Sequence, residues 1–105
     1  MCGIAASINL NDIDINKVHK YLKHRGPDGE GSYTYNNVTL IHNRLAIQDL
    51  STNASQPMFM NEYVIIFNGE IYNHIDLRSK LKEYKFKSSS DTETLLYLFI
   101  KYGKD

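Results

Sequence analysis

Asn36-Asn37 stands between two short β-compatible runs, Ser32–Tyr35 and Val38–His42. Asn tolerates a positive φ, so the pair reads as the two-residue turn of a β-hairpin. A hairpin is a strong constraint because it fixes two antiparallel neighbours and their register together. Two further runs suit strands. Cys2–Leu10 is apolar and closes on Asn11-Asp12, which predicts a buried strand. Tyr63–Phe67 is continuous, β-branched and aromatic, the pattern of a strand buried on both faces, and Asn68-Gly69 stops it.

Helix signals lie between and after these runs. Asp14 caps a helix whose apolar face is Ile15, Val18, Leu22 and Tyr21, with Gly26-Pro27 as its end. Arg25–Gly31 holds three glycines and a proline and reads as a loop. Ala46–Pro57 is polar and irregular, and such segments in small domains often carry function. Asn73 with Asp76 resembles a capping box for a helix through Tyr84, with Ile75, Leu77, Leu81 and Tyr84 as contacts. Lys85–Lys87 reads as a short strand. Ser90 with Glu93 is a second box, opening a helix with Leu95, Leu98, Phe99 and Tyr102 inward and Gly103 as its stop. The order β-α-β-β-β-α-α gives an α+β architecture.

The 105 residues are enough for one domain. Lys+Arg and Asp+Glu are 12 each. A net charge of zero argues against nucleic-acid or membrane-surface binding, which needs a basic excess. The longest apolar stretch, Tyr63–Phe67, is far too short to span a bilayer. The N-terminus lacks the basic region of a signal peptide. The single cysteine, Cys2, excludes an internal disulfide and makes a reducing, cytoplasmic home the expectation.

Cys2 is also the position richest in chemistry. Removal of Met1 places its thiol beside a free α-amine, whose reference pKa of roughly 7.7–8.0 leaves it partly neutral near pH 7. The amine then serves as base for its own thiol. Taken alone, Cys2 fits a small buried hydrophobe at a strand start better. Asn68-Gly69-Glu70 offers an amide N–H and a closely approachable backbone N–H, the parts of an oxyanion hole or of an ordinary turn. Arg44 suits two-point binding of a carboxylate or an ion pair with Asp49. Asp91 suits an ammonium group or simply the helix dipole. The four histidines show no zinc spacing, and no metal site is expected. Gly26, Gly29 and Gly31 do not form a nucleotide loop.

Six segments together resemble the glutaminase (class II glutamine amidotransferase) domain of asparagine synthetases. They are Met1-Cys2-Gly3-Ile4, His24-Arg25-Gly26-Pro27-Asp28, His42-Asn43-Arg44-Leu45-Ala46-Ile47, Gln56-Pro57-Met58, Asn68-Gly69-Glu70-Ile71-Tyr72-Asn73-His74 and Ser90-Asp91-Thr92-Glu93. They occur in the family's order and cover nearly the whole chain.

The resemblance implies a role for each candidate. Cys2 attacks the glutamine side-chain amide, and Asn68 and Gly69 hold the oxyanion. Arg44 binds the α-carboxylate, while Asp91 and Glu70 bind the α-ammonium. It implies the N-terminal portion of a four-layer αββα Ntn-hydrolase sandwich, with residues 1–105 as about half of that glutaminase domain. ATP and Mg²⁺ then belong to a missing C-terminal synthetase domain that activates aspartate, and no cofactor belongs to this chain. Relatives of this branch amidate other carboxylates, including those of surface-polysaccharide sugars. An inactive remnant is a further alternative. Half a sandwich exposes a sheet face, which predicts marginal stability and self-association.

Overall fold

The structure is a computed structural model that describes residues 1–10 and 12–104. It is a mixed α/β chain with two small antiparallel sheets and few helices. The first sheet has the order β1-β3-β2, from β1 (Gly3–Ile8), β2 (Gly29–Tyr35) and β3 (Val38–Arg44). The Asn36-Asn37 turn forms as expected, with Tyr35 opposite Val38 and a φ of 53° at Asn36. β1 ends sooner than expected. Asn9 takes a φ of 63° and donates its N–H to the Asn37 carbonyl, so the chain leaves the ladder there. Asn11, expected with Asp12 to close that strand, lies outside the described residues.

Register sorts the sheet's faces. Gly3, Ala5 and Ser7 share a face with Thr39, Ile41 and Asn43. Helix α1 (Ile15–Leu22) covers this face, and Asp14 caps it by accepting the Lys17 N–H at 3.0 Å. Tyr21 is 67% exposed, and buried His19 takes its place, its Nδ1 2.7 Å from Asn43 Oδ1. The helix ends at Leu22, before Gly26. The opposite face carries Ile4, Ala6, Leu40 and Tyr33, and Ile4 is exposed.

The second sheet is a hairpin of β4 (Met58–Met60) and β5 (Tyr63–Ile65). Sequence reasoning did not assign β4, although Asn61 marks its turn with a φ of 54°. β5 is half-buried and shorter than the Tyr63–Phe67 strand expected to be buried on both faces, because β4 is its only partner among the described residues. Tyr33 packs edge-on against Phe59 across the two sheets, with ring centroids 4.9 Å apart.

Helix α2 (His74–Arg78) stops well before Tyr84, and the Asn73 side chain makes no cap bond. After it the N–H groups of Ser79, Lys80 and Leu81 bond three residues back, tightening the turn that buries Leu81. Helix α3 (Asp91–Tyr102) is capped by Ser90, which accepts the Thr92 N–H, and stops at Gly103 with a φ of 76°. Its buried side is Glu93, Thr94, Leu96 and Tyr97, whereas Phe99 and Tyr102 are 47% and 57% exposed.

The expected Lys85–Lys87 strand does not form because α3 side chains claim its backbone. Tyr97 donates to the Lys85 carbonyl, and Glu93 accepts the Lys87 and Ser88 N–H groups at 2.8 Å each. Glu93 therefore does not close a capping box with the Ser90 N–H, which donates to Ser88 Oγ instead. Arg78 bolts the same corner. Its guanidinium donates to Thr94 Oγ1 and to the Ser88 and Ser90 carbonyls, and lies 4.0 Å over the Phe86 ring.

Candidate active site

A cleft opens where the ends of β1 and β3 meet the loop after β5 and the start of α3. Cys2, Arg44, Asn68, Gly69, Glu70 and Asp91 all line it. They come from four stretches of sequence, so their convergence is a product of the fold.

Cys2 is half-buried just before β1. Its Sγ accepts the Leu45 N–H at 3.2 Å and lies 3.7 Å from the Leu45 carbonyl. The Cys2 carbonyl accepts from Arg25 Nε at 3.3 Å. Arg25 opens a loop that also shapes the far wall: the Asp28 N–H donates to the Arg44 carbonyl, and Asp28 Oδ2 accepts the Ala46 N–H, each at 2.8 Å. Gly26 is buried against the Asn43 carbonyl, where an added Cβ would stand 2.1 Å from that oxygen. Close approach, not a helix cap, is what this glycine supplies.

Arg44 forms no ion pair with Asp49. Its Nη1 donates to the Ser51 carbonyl at 2.8 Å and to Ser55 Oγ at 3.4 Å, and its Nη2 donates to the Asp49 backbone carbonyl. No carboxylate neutralises it among the described residues, and its Nε has no hydrogen bond there. The Asp49 carboxylate accepts instead from the Ser51 and Ser89 N–H groups at 2.8 Å each. Hydrogen bonds from Ser51, then Ser89, hold that carboxyl well below the usual carboxylate range. Asp49 thus ties the Arg44 loop to the entry of α3.

Asp91 is 5% exposed, at the first turn of α3. Its Oδ2 accepts the Ile71 N–H at 2.9 Å, and its own N–H donates to Gln48 Oε1 at 3.2 Å. The carboxylate therefore does more than face a helix dipole: it pins the loop carrying Asn68, Gly69 and Glu70. Asn68 is half-buried, and Gly69 and Glu70 are exposed.

Sequence reasoning named Gln56, Asp49 and Asp28 without a site role, and all three prove to organise the cleft. Their signal, a polar side chain bonded to a distant segment, exists only once those segments meet. His42 is also part of the wall, fully buried, and neither ring nitrogen has a hydrogen-bond partner. Burial lowers its pKa to about 4 from 6.5, partly offset by the nearby Phe67 backbone and reinforced by a smaller push from Arg44.

A base whose folded pKa lies below its unfolded one favours unfolding by protonation between the two values. Stability should therefore fall as pH drops from about 6.5 to about 4. The loss is at most about 3.5 kcal/mol at roughly 1.4 kcal/mol per pH unit. Asp49 acts in a different window, because its depressed carboxyl stabilises above its unfolded pKa of 3.8 and fails only in more acidic solution. Urea midpoints at pH 7, 5.5 and 4.5 should show the drop, and His42→Gln should flatten it.

Among the described residues no group of three or more His, Cys, Asp or Glu side chains is placed to hold a metal ion. Among the described residues no helix is long and apolar enough to cross a membrane.

A thiol, a guanidinium without a carboxylate partner among the described residues and a buried carboxylate therefore share one cleft. The chain belongs to the glutamine amidotransferase domain family, whose sequence profile matches residues 1–105. It is 39% identical over 113 residues to Asparagine synthetase [glutamine-hydrolyzing] 2 of Oryza sativa subsp. japonica, covering 100% of this chain and 19% of that protein. It is 44% identical over 112 residues to the Probable asparagine synthetase [glutamine-hydrolyzing] of Schizosaccharomyces pombe, covering 98% of this chain and 20% of the relative. A Putative asparagine synthetase [glutamine-hydrolyzing] 2 of Methanocaldococcus jannaschii is 38% identical over 129 residues, and the chain spans 25% of its length. The chain thus spans a fifth to a quarter of these relatives.

Proposed function

We propose that this chain is the N-terminal half of a glutamine-hydrolysing domain of asparagine synthetase type. The observation that carries the proposal is the convergence of Cys2, Arg44, Asn68, Gly69, Glu70 and Asp91 on one cleft. Charge supports it: an unneutralised guanidinium suits the α-carboxylate of glutamine, and the acids Asp91 and Glu70 suit its α-ammonium.

With Met1 removed, the Cys2 sulfur adds to the side-chain amide carbon of glutamine. Its proton passes to the α-amine and on to the departing nitrogen. The Asn68 side chain and the Gly69 N–H take the charge that builds on the amide oxygen, where one such donor is worth roughly 3 kcal/mol. The C–N bond breaks, ammonia leaves and a thioester remains. Water then adds to the same carbon, the C–S bond breaks, and glutamate and the free thiol are released.

Two features support a place in a four-layer αββα sandwich: α1 lies on the first sheet and α3 on the second. Ile4, Ile8 and Tyr35, exposed on the first sheet's face opposite α1, support self-association of the isolated chain. The names of the relatives support asparagine formation in a whole protein. ATP and Mg²⁺ then act outside this chain, whose described residues hold no group fit for the metal.

The test is covalent. A γ-chloroketone analogue of L-glutamine should alkylate Cys2 in the chain lacking Met1, the sulfur displacing chloride and the protein gaining the reagent's mass less HCl; excess L-glutamine should block it, and Cys2→Ala should abolish it. Absence of the adduct in the folded chain, or an adduct that glutamine does not suppress, would overturn the proposal. Retained Met1 should also prevent the reaction, because the base is then locked in a peptide bond.

A further inference from the structure

We infer that Gln56 is the positioning residue of the oxyanion pocket, through a bridge from the Phe67 backbone to helix α3; the inference rests on the glutaminase reading. Gln56 Oε1 accepts the Phe67 N–H at 2.6 Å, and its Nε2 donates to Thr92 Oγ1 at 3.1 Å. Phe67 immediately precedes Asn68 and Gly69. A β-ladder no longer holds the chain there, since β5 ends at Ile65. The Gln56 amide replaces the missing strand partner.

The bridge is anchored at three points. The Gln56 main chain sits against Gly31 of β2, where an added Cβ would lie 2.0 Å from the Gln56 carbonyl oxygen. Its side chain reaches Thr92, one residue after Asp91 and 2% exposed. The Phe67 ring lies under the next turn of the same loop, its Cζ 2.9 Å from where a Gly69 Cβ would be. Backbone and ring of Phe67 are therefore both fixed, and with them the path of the chain through Asn68 and Gly69. The bridge also makes the oxyanion donors and the Asp91 carboxylate parts of one unit.

A donor group displaced by a few tenths of an ångström loses most of its value to a developing oxyanion. The ground-state amide and the α-substituents of glutamine depend on it far less. Losing Gln56 should therefore weaken tetrahedral adducts selectively.

The probe is the γ-aldehyde of L-glutamate. The Cys2 thiol adds across its carbonyl: the S–C bond forms, the thiol proton goes to the oxygen, and nothing leaves. In the chain lacking Met1, Gln56→Met should weaken adduct formation at least tenfold by calorimetry. Binding of L-glutamine, measured in a Cys2→Ala background, should change less than twofold. An unchanged aldehyde affinity, or equal losses for aldehyde and glutamine, would overturn the inference while leaving the glutaminase reading in place. No adduct with the parent chain would overturn both. If circular dichroism shows Gln56→Met unfolded, Gln56→Glu takes its place with the same outcomes. That variant keeps an acceptor for the Phe67 N–H but cannot donate to Thr92, and it sets a negative charge beside the forming oxyanion.

Discussion

Asp91→Asn is expected to weaken L-glutamine binding about a hundredfold while the chain stays folded. The carboxylate is nearly buried, so a charge pair it forms is poorly screened, and removing one partner of such a pair costs roughly 2–5 kcal/mol. Asn is the discriminating replacement because its Oδ1 can still accept the Ile71 N–H that Asp91 holds at 2.9 Å. The loop carrying Asn68 and Gly69 stays pinned, and only the charge is lost. Helix α3 gives up a favourable residue in its first turn, worth about 0.5 kcal/mol. Glu70→Gln is the comparison. Glu70 is exposed, so its charge is screened by water and its loss should cost threefold or less. Calorimetry in a Cys2→Ala background, where no turnover occurs, reads both affinities. Equal effects from the two substitutions, or an unchanged affinity in Asp91→Asn, would remove Asp91 from the ammonium site.

What was legible in the sequence is what short-range chemistry decides. The Asn36-Asn37 turn, the Asp14 and Ser90 caps and the Gly103 stop all formed, because each depends on residues within a few positions. The candidate site residues were ambiguous singly and were named as a set only through the family resemblance; the fold brings them to one cleft. The failures share a cause. The Lys85–Lys87 segment has strand composition, yet Glu93 and Tyr97 take its backbone groups from a helix that follows it. Glu93 sits at capping-box spacing, yet three donors from that segment outbid the Ser90 N–H. The inward face of α3 was assigned to Leu95, Leu98, Phe99 and Tyr102 by hydrophobicity, but Arg78 and the 85–88 segment pull Thr94, Glu93 and Tyr97 inward. Partners that a neighbouring element brings in are invisible to periodicity. They also explain why Gln56, bonded to residues 11 and 36 positions away, and Asp49, which reaches Ser89 40 positions away, carried no site signal of their own.

The same long-range logic makes two glycines the most fragile positions in the chain. At Gly26 an added Cβ would stand 2.1 Å from the Asn43 carbonyl oxygen and 2.7 Å from the Arg44 nitrogen; at Gly31 it would stand 2.0 Å from the Gln56 carbonyl oxygen. The obstructing atoms are backbone, which no rotamer change can move aside. At Gly29 the nearest atoms are Arg44 side-chain carbons at 3.6 and 4.0 Å, an ordinary contact. The chain has little reserve to absorb a collision. Its buried apolar residues are few, chiefly Ile41, Leu81, Leu96 and Tyr97, and its radius of gyration of 14.1 Å exceeds the roughly 13 Å expected of a compact chain of this length. A net stability near the low end of the usual range, about 5 kcal/mol, is expected. Gly26→Ala and Gly31→Ala should each remove about 3 kcal/mol. With a urea slope of about 1.5 kcal/mol/M, the midpoint should fall by roughly 2 M. Gly29→Ala should stay within about 0.5 kcal/mol of the parent. Midpoints from urea titration separate the cases, and identical values for all three would show that the loops give way freely. The two damaging substitutions should also differ in kind. Gly26 presses on the strand end that carries Arg44, whereas Gly31 presses on Gln56. Below the unfolding midpoint, Gly26→Ala should therefore weaken glutamine itself, and Gly31→Ala should weaken the γ-aldehyde adduct more than glutamine.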